Sequence, residues 1–343
     1  MRKKALIIVA IMIILNTSLL VVRLCKPTLA SAKEEVISDN ENKTTEEIKD
    51  IEVKTNEEST KKSPKHIDMV AYDYATNVVD VKNTEFVIPQ NLLDDLNNTL
   101  SSYPQASSFM VVSLNDGMSF GYNIDQAYGS GSTIKATYAY YVYKLVAEKK
   151  ASLDDTIAYQ AKFYNSGTGS IKHAAYGTEY TVRQLLYEMI HESDNVAYLM
   201  LLDKYKWDGF NEMLDDLGAV ELHLSNTSRW GKLSCRSSAI IWQEIYKFSQ
   251  ESAEGKELMD LFLNAKYNYF KEILPDVASA SKSGFTQVVV HDTGIVMDEE
   301  NPYIIIILSN TGGNMSAAYA HVKNMFSKIA PIMQEYNNFI RTK

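Results

Sequence analysis

Apolar residues recur along the chain at two spacings, one typical of strands and one typical of helices. Leucines at helical spacing predict a helix over residues 89–100. Apolar runs at 108–114 and 118–122 flank Asn115-Asp116-Gly117, a pattern that predicts two strands joined by a tight turn. Near the C-terminus, three apolar runs predict three more strands, and a last apolar stripe predicts a closing helix. These segments are 278–283, 288–297, 303–309 and 317–332.

The middle of the chain has helical spacing almost throughout. Thr181-Val182-Arg183-Gln184 has the form of a capping box, which precedes one helix, and further stripes follow at 196–202 and 240–248. This order predicts an α+β fold, in which the two ends share one antiparallel sheet flanked by terminal helices. The middle then forms an inserted all-helical lobe, over about residues 139–270. We expect a binding site in the cleft between the lobes.

The first 32 residues have the composition of an export signal. Met1-Arg2-Lys3-Lys4 is a positively charged start, and an apolar run follows from Ala5 to Val22. Ala30-Ser31-Ala32 has the pattern of a signal-peptidase site, but the apolar run is also long enough to remain as a membrane anchor. Both alternatives predict an exported protein, either extracellular or anchored to the outer face of the cytoplasmic membrane.

The next segment is polar, and the whole chain is acidic. Residues 33–66 contain no Phe, Tyr or Trp, so they bury too little apolar surface to offset the entropy of ordering. We therefore expect a charged tether and N-terminal extension over 33–85, followed by one folded domain over 86–343. The formal net charge of −9, with a basic signal segment included in it, argues against nucleic acid as a partner.

No disulfide is expected within the folded domain, because Cys235 is the only cysteine after the signal segment. The folded domain must be held together by burial of its core, and its length permits this. We expect a monomer that uses neither a cofactor nor a metal.

The first candidate for chemistry is Ser132-Thr133-Ile134-Lys135, which follows a glycine-rich break and opens a helical pattern. Residues three apart share a helix face, so the amino group of Lys135 can reach the hydroxyl of Ser132. A serine hydroxyl is a weak nucleophile that needs such a partner, and the positive end of a helix favours the charge that develops there. The alternative interpretation of the same sequence is an N-cap serine followed by a surface lysine.

Two further motifs follow the first. Ser193-Asp194-Asn195 interrupts a helical stretch, where Ser193 can pass on a proton and Asn195 can hold a carbonyl group; the alternative is a plain turn between helices. Lys282-Ser283-Gly284 lies on a predicted strand. There a lysine and a hydroxyl can bind a carboxylate, and glycine lets a substrate approach the backbone. The alternative is an edge strand protected by lysine.

In order, spacing and predicted context, the three motifs resemble those of the class A β-lactamases and related penicillin-binding D,D-peptidases. The resemblance covers roughly residues 90–335, and three segments outside the motifs support it. These are 167–171, 181–186 and 291–296.

The resemblance implies that Ser132, activated by Lys135, attacks the carbonyl of a β-lactam or of a peptidoglycan peptide ending in D-alanyl-D-alanine. Ser193 would then pass a proton to the departing nitrogen. The backbone N–H groups of Ser132 and Phe285 would form the oxyanion hole. Asn195 would hold an amide of the substrate.

At the other end of the substrate, the resemblance implies that Lys282 and Ser283 bind the carboxylate, while Gly284 leaves room for close approach. The family often places an arginine near this pocket, but no arginine occurs between Lys282 and Arg341. His291 is either a partial substitute or a structural residue of the strand.

The chain also departs from the class A pattern at the glutamate that hydrolyses the acyl-enzyme, which belongs to a Glu-x-x-Leu-Asn motif. The nearest match is Glu221 in the segment 221–226, within an alternating stretch that predicts extended structure. Glu221 is thus the candidate deacylating base, and its imperfect match predicts slow deacylation.

Three functions stay open on the sequence alone. The first is a serine hydrolase that acts on β-lactams or, as a D-alanyl-D-alanine carboxypeptidase, on cell-wall peptides. The second is a non-catalytic sensor that binds the same ligands, and turnover would separate it from the first. The third is a structural surface domain in which the motifs are coincidental.

Overall fold

The computed structural model describes residues 80–82 and 84–343. The predicted export signal (1–32) and nearly all of the predicted tether (33–85) lie outside these residues, so these two segments stay predictions. Within the described part of the chain, no helix is long and apolar enough to span a membrane.

Within the described residues, ten strands form one large sheet and two small two-stranded ones. In chain order they are β1 (Asp80–Lys82), β2 (Ser107–Ser113), β3 (Ser119–Tyr122), β4 (Tyr128–Gly129), β5 (Thr156–Ala158), β6 (Glu179–Thr181), β7 (Lys232–Leu233), β8 (Ser279–Phe285), β9 (Val289–Val296) and β10 (Tyr303–Asn310). The large sheet has the order β1-β3-β2-β10-β9-β8, and every neighbouring pair is antiparallel. Strands from both ends of the sequence therefore share one sheet, as predicted.

Nine α-helices lie within the described residues. They are α1 (Gln90–Ser102), α2 (Ile134–Ala147), α3 (Val182–His191), α4 (Asn195–Tyr205), α5 (Asp208–Leu217), α6 (Cys235–Glu251), α7 (Ala253–Leu263), α8 (Phe270–Ile273) and α9 (Met315–Arg341). Helices α1 and α9 are the terminal helices, and helices α2 to α8 fall between β4 and β8 in the sequence. The predicted α+β fold class is confirmed.

The central strand β10 is buried on both faces of the sheet. Its alternate residues belong to two different apolar clusters, with Ile304 and Ile306 in one and Ile305 and Ile307 in the other. The first cluster contains most of the buried residues of the middle helices, whereas the second joins the sheet to α1 and α9. The sheet thus forms the shared wall of both cores, and its edge strand β8 carries the Lys-Ser-Gly motif.

Local sequence patterns predicted some elements correctly and others incorrectly. The capping box before α3 is present, with the Thr181 hydroxyl accepting the Gln184 N–H at 3.1 Å and the Gln184 side chain accepting the Thr181 N–H at 2.8 Å. The prediction of extended structure at Glu221 is wrong, because Val220–Leu222 forms a 3-10 turn directly after α5. Strand β1 was not predicted, and it pairs in register with β3.

Candidate active site

Ser132 lies in a tight turn that is pressed against the edge strand β8. The turn Gly131–Thr133 is a 3-10 helix that continues into α2, and Gly131 has a positive φ of 53°. A Cβ atom added to Gly284 would lie 2.9 Å from the backbone nitrogen of Ser132 and 3.0 Å from the carbonyl oxygen of Ser130. Glycine at position 284 therefore lets the strand backbone pass directly beside the candidate nucleophile.

Lys135 is completely buried behind Ser132. Its Nζ lies 3.1 Å from Ser132 Oγ, 2.6 Å from Asn195 Oδ1 and 2.6 Å from the carbonyl oxygen of Ser193. Burial lowers the pKa of Lys135 well below its ordinary value, and the positive charge of Lys282 lowers that pKa further, although Asp194 opposes the shift. A neutral amine can donate its two N–H groups to the two closer oxygens, which leaves its lone pair for the hydroxyl proton of Ser132.

Ser193 links the two lysines of the site. Its hydroxyl oxygen lies 3.2 Å from Lys135 Nζ and 3.1 Å from Lys282 Nζ, and the side chain is buried. The residue has a positive φ of 55°, which is an uncommon conformation outside glycine and asparagine. This strained turn between α3 and α4 directs both the carbonyl and the hydroxyl of Ser193 toward Lys135.

Asp194 holds that turn in place. Its carboxylate caps α4 by accepting the N–H groups of Val196 at 2.7 Å and Ala197 at 2.9 Å, and it also accepts the N–H of Ile171 at 2.9 Å. The strain at Ser193 is therefore offset by the cap and by a loop, residues 167–171, that packs against the turn.

The same loop supplies a residue that was not among the predicted site residues. Thr168 donates its hydroxyl proton to the carbonyl oxygen of Ser193 at 2.6 Å, and its own carbonyl accepts the N–H of Asn195 at 3.1 Å. Gly169 has a positive φ of 103°, and a Cβ there would lie 2.1 Å from the carboxylate of Asp194. The Gly-Thr-Gly sequence was the only local signal of this role.

Lys282 projects from β8 toward Ser193 and is 1% exposed. Besides the Ser193 hydroxyl, its Nζ bonds the carbonyl oxygen of Ser283 at 3.0 Å. Burial lowers the pKa of Lys282 to about 8, while the nearby carboxylate of Asp292 opposes that shift. Burial also raises the pKa of Asp292, which lies opposite Ser283 on β9, to about 7. The Lys-Ser-Gly motif thus lies beside a buried acid that the sequence analysis did not single out.

His291 has a structural role and does not replace the missing arginine. Its Nδ1 accepts the backbone N–H of Ser309 at 3.2 Å, so its Nε2 carries the proton and donates it to the carbonyl of Gly129 at 3.0 Å. Burial lowers the pKa of His291 to about 4, which keeps the ring uncharged at neutral pH. The residue therefore anchors the segment just before the candidate nucleophile.

These groups meet at a cleft of about 900 Å³. Ser132, Asn195 and Phe285 line it, whereas Lys135, Ser193 and Lys282 lie buried behind its wall. The remaining lining residues are Gly129, Ser130, Gly131, Asn165, Ser166, Gly167, Thr168, Trp230, Gly231, Thr286, Gln287, Val288, Val289 and Met315. None of the lining residues carries a carboxylate. No group of His, Cys, Asp or Glu within the described residues could hold a metal ion.

The structure places Glu221 apart from these lining residues. Its side chain is exposed, and its carboxylate accepts a hydrogen bond from the Ser234 hydroxyl at 3.2 Å, at the residue that caps α6. Trp230 faces the cleft instead, with its ring centroid 5.6 Å from Lys135 Nζ and its carbonyl bonded by the Ser130 hydroxyl. Trp230 was not predicted as a site residue, because its contacts join segments far apart in the sequence.

The geometry joins a serine hydroxyl and a buried lysine amine in one cleft, and the comparisons with known proteins show to which family the chain belongs. Residues 91–336 match the model of the beta-lactamase enzyme family, and the chain belongs to that family. The chain matches no curated protein.

Solved structures with the same fold include both penicillin-binding proteins and β-lactamases. A mutant of PBP-A, solved as an acyl-enzyme complex with penicillin G, has a TM-score of 0.66 at 19% identity, over 72% of this chain and 97% of that chain. A β-lactamase from Sphaerobacter thermophilus has a TM-score of 0.64 at 19% identity, over 70% and 95%. An ancestral class A β-lactamase has a TM-score of 0.64 at 18% identity, over 70% and 99%. At these identities the likeness shows the fold.

Proposed function

We propose that this protein is a penicillin-recognising serine hydrolase, in which Ser132 forms an acyl-enzyme with β-lactams that is hydrolysed slowly. The observation that carries the proposal is the fully buried amine of Lys135, 3.1 Å from the Ser132 hydroxyl and with a lowered pKa. A lysine of this kind is a base rather than a surface charge, so the reading of the motif as an N-cap serine with an exposed lysine does not fit.

Acylation begins when Lys135 accepts the hydroxyl proton of Ser132 and Ser132 Oγ bonds to the lactam carbonyl carbon. The carbonyl oxygen becomes an oxyanion that the backbone N–H groups of Ser132 and Phe285 stabilise. The C–N bond then breaks, and the nitrogen takes a proton through the hydroxyl of Ser193, which lies between the two lysines. The product is an ester on Ser132.

Substrate orientation comes from groups on either side of the nucleophile. Asn195 holds an amide of the substrate, while Lys282 and Ser283 bind its carboxylate, with Gly284 allowing close approach. Deacylation needs a water activated by a base, and the cleft lining holds no carboxylate to do this. The ester therefore persists.

A second candidate is a D-alanyl-D-alanine carboxypeptidase that β-lactams inhibit. The absence of a carboxylate from the cleft lining favours it, since a long-lived penicillin ester is inhibition rather than resistance. A non-catalytic sensor would form the same ester, and only turnover of a peptide or lactam distinguishes it. All three fit an exported protein acting at the cell surface, a location that we propose from the N-terminal sequence.

The test is covalent labelling of the full chain with penicillin, followed by intact-mass measurement and peptide mapping. We expect one adduct, located on Ser132 and lost in Ser132→Ala. Ser101→Ala, which changes an exposed serine of α1, is the matched control and should label like the parent. An adduct on another residue, or none on folded protein, would contradict the proposal.

A further inference from the structure

A second cavity, of about 590 Å³, adjoins the cleft. Phe285 and Met315 line both spaces, so a ligand in the cleft can extend past these two side chains into the second cavity. Its walls are mainly aromatic and aliphatic, and the loop between α7 and α8 forms much of them. The larger apolar wall residues are Tyr267, Tyr269, Tyr319, Phe285, Val290 and Met315.

The aromatic wall is held by contacts within the fold. Tyr267 meets Phe285 edge to face at 6.0 Å between centroids, and Tyr269 meets Tyr319 in the same way at 4.6 Å. The backbone N–H of Tyr269 donates a hydrogen bond to the buried Asp292 carboxylate at 2.7 Å. These contacts fix the walls in place before any ligand arrives, and a fixed aromatic cavity favours another ring.

The cavity lies on the side of the site that binds the carboxylate. Phe285, which lines the cavity, follows the Lys-Ser-Gly motif directly on β8. When Lys282 and Ser283 hold the carboxylate of a substrate, a side chain attached next to that carboxylate is the part closest to the cavity. In the reaction above, that part of the substrate is the leaving group.

Two of the three charged residues that line the cavity, Lys266 and Glu272, are ion-paired, whereas the third, Lys271, is exposed and its Nζ donates to the carbonyl oxygen of Leu263 at 3.4 Å. Lys266 is ion-paired with Glu192 at 2.7 Å, and Glu272 is ion-paired with Lys323 at 2.9 Å and also accepts the hydroxyl of Tyr319. A charged ligand group that bound Lys266 or Glu272 would have to break these pairs, whereas an uncharged ring would bury its surface against the aromatic wall without doing so.

We propose that this cavity is a subsite for an aromatic side chain on a carboxylate-bearing leaving group. The inference rests on the proposed function, since it assumes that Ser132 is acylated. With an ester substrate, Ser132 Oγ bonds to the carbonyl carbon, the ester C–O bond breaks, and the departing alkoxide takes the proton that Lys135 removed from Ser132. The released hydroxy acid keeps its carboxylate on Lys282 and Ser283 and its ring in the cavity until it dissociates.

The experiment compares two esters with the same acyl group, one with lactate and one with phenyllactate of the same handedness as leaving group. The readout is the ratio of kcat/KM for acylation of the full chain. Burying a phenyl ring predicts a preference for phenyllactate of about ten- to a hundredfold. Tyr267→Ala removes a wall, and Ser316→Trp fills the cavity from the first turn of α9, so both should lower the ratio.

Tyr187→Ala is the matched control, because Tyr187 is 44% exposed on α3 and lines neither space, and it should keep the parent ratio. A ratio near one in the parent would overturn the subsite, as would a preference that survives both variants. Penicillin labelling of the same preparation separates the two proposals. Labelling without the preference overturns the subsite alone, whereas neither labelling nor ester cleavage overturns the proposed function and the subsite with it.

Discussion

The two sides of the cleft differ in the chemistry that they present to Ser132. Behind the nucleophile, Lys135, Ser193 and Lys282 form a continuous hydrogen-bonded chain of buried groups. On another part of the cleft wall, the segment 219–231 contributes Trp230 and Gly231, and its single acidic residue is exposed and accepts a hydrogen bond from Ser234. The first side has what attack on a carbonyl requires. The second offers no group to activate a water.

The difference lies in chemistry rather than in order, because both sides are held firmly. The segment 219–231 is fixed by the side chain of Asn211, which bonds the N–H and the carbonyl of Leu224, both at 2.9 Å. The hydroxyl of Tyr198 also bonds the carbonyl of Arg229 at 2.7 Å. These contacts hold the segment in a conformation in which the Glu221 carboxylate bonds the residue that caps α6 and does not line the cleft.

The largest expected effect is that of Lys135→Met, which removes the base and keeps the volume. The acylation rate should fall by about a hundred- to ten-thousand-fold, the usual contribution of a positioned general base. Stopped-flow acylation measures this rate. Lys144→Met, on the last turn of the same helix, is the control and should acylate at the parent rate. Parent-like acylation in Lys135→Met would show that another group takes the proton.

The next effect concerns the loop 167–171, which packs against the turn that carries Ser193. Gly169→Ala places a methyl group against the Asp194 carboxylate, which must shift the cap and with it Ser193 and Asn195. A displacement of about 1 Å at a catalytic group costs roughly a hundredfold in rate, so we expect acylation to slow by about that factor. Acylation rate and circular dichroism together test whether the site moves while the fold stays.

Gly177→Ala is the matched control for that variant. Gly177 also has a positive φ, of 93°, but a Cβ there would meet no atom within 4 Å. Both variants therefore bear the same kind of backbone cost, and only Gly169→Ala adds the clash. Equal acylation rates in the two variants would show that the loop does not position Ser193.

The contrast between the two sides also explains what the sequence could and could not predict. Ser132, Lys135, Ser193 and Lys282 could be named as candidates because each belongs to a short motif, and the motifs lie on a helix start, a turn and a strand. Thr168 and Trp230 belong to none of these motifs, because their contacts with the site are hydrogen bonds and ring contacts to segments far away in the chain. Spacing predicts which local face a residue shares, but it does not predict which distant segment packs against that face.

Helix α9 shows the same limit at the level of the fold. The apolar stripe predicted a helix over 317–332, but the helix runs from Met315 to Arg341 through Pro331. Its last turns are held by Tyr336 and Phe339, whose rings pack against Phe86 with centroids 5.2 and 5.5 Å away. Those contacts join the two ends of the folded region, and tertiary packing here outweighs the local cost of the proline.

A smaller effect is expected from Lys282→Ala, which removes the cation that we propose binds the substrate carboxylate. Hydrogen bonds to charged groups contribute about 1.5–3 kcal/mol, so kcat/KM for acylation should fall roughly ten- to a hundredfold. The direction in which kcat/KM changes with pH follows from the pKa of Lys282. Because the pKa of Lys282 is about 8 and the protonated form binds the carboxylate, kcat/KM in the parent should decline as the pH rises through about 8.

Lys282→Arg sharpens this prediction, since a guanidinium stays charged throughout that range. Whatever its absolute rate, the arginine variant should lose the decline near pH 8. In Lys282→Ala, removal of the positive charge should also let the pKa of Lys135 rise, which moves the acidic limb of the profile to higher pH. A decline near pH 8 that persists in Lys282→Arg would assign it to another group.

The smallest expected effect is that of Glu221→Gln, which tests whether the segment 219–231 supplies the base for deacylation. If Glu221 were the deacylating base, its loss would lengthen the life of the acyl-enzyme by about a hundred- to ten-thousand-fold. The structure instead has its carboxylate accepting the Ser234 hydroxyl, a contact that the glutamine oxygen can also accept. We therefore expect an unchanged acyl-enzyme lifetime, and a loss of stability within about 0.5 kcal/mol because the site is exposed. Mass spectrometry over hours after penicillin is removed should show the adduct persisting equally in parent and variant. Rapid multiple turnover in the parent, abolished in Glu221→Gln, would restore Glu221 as the base and show that the segment 219–231 rearranges during the reaction.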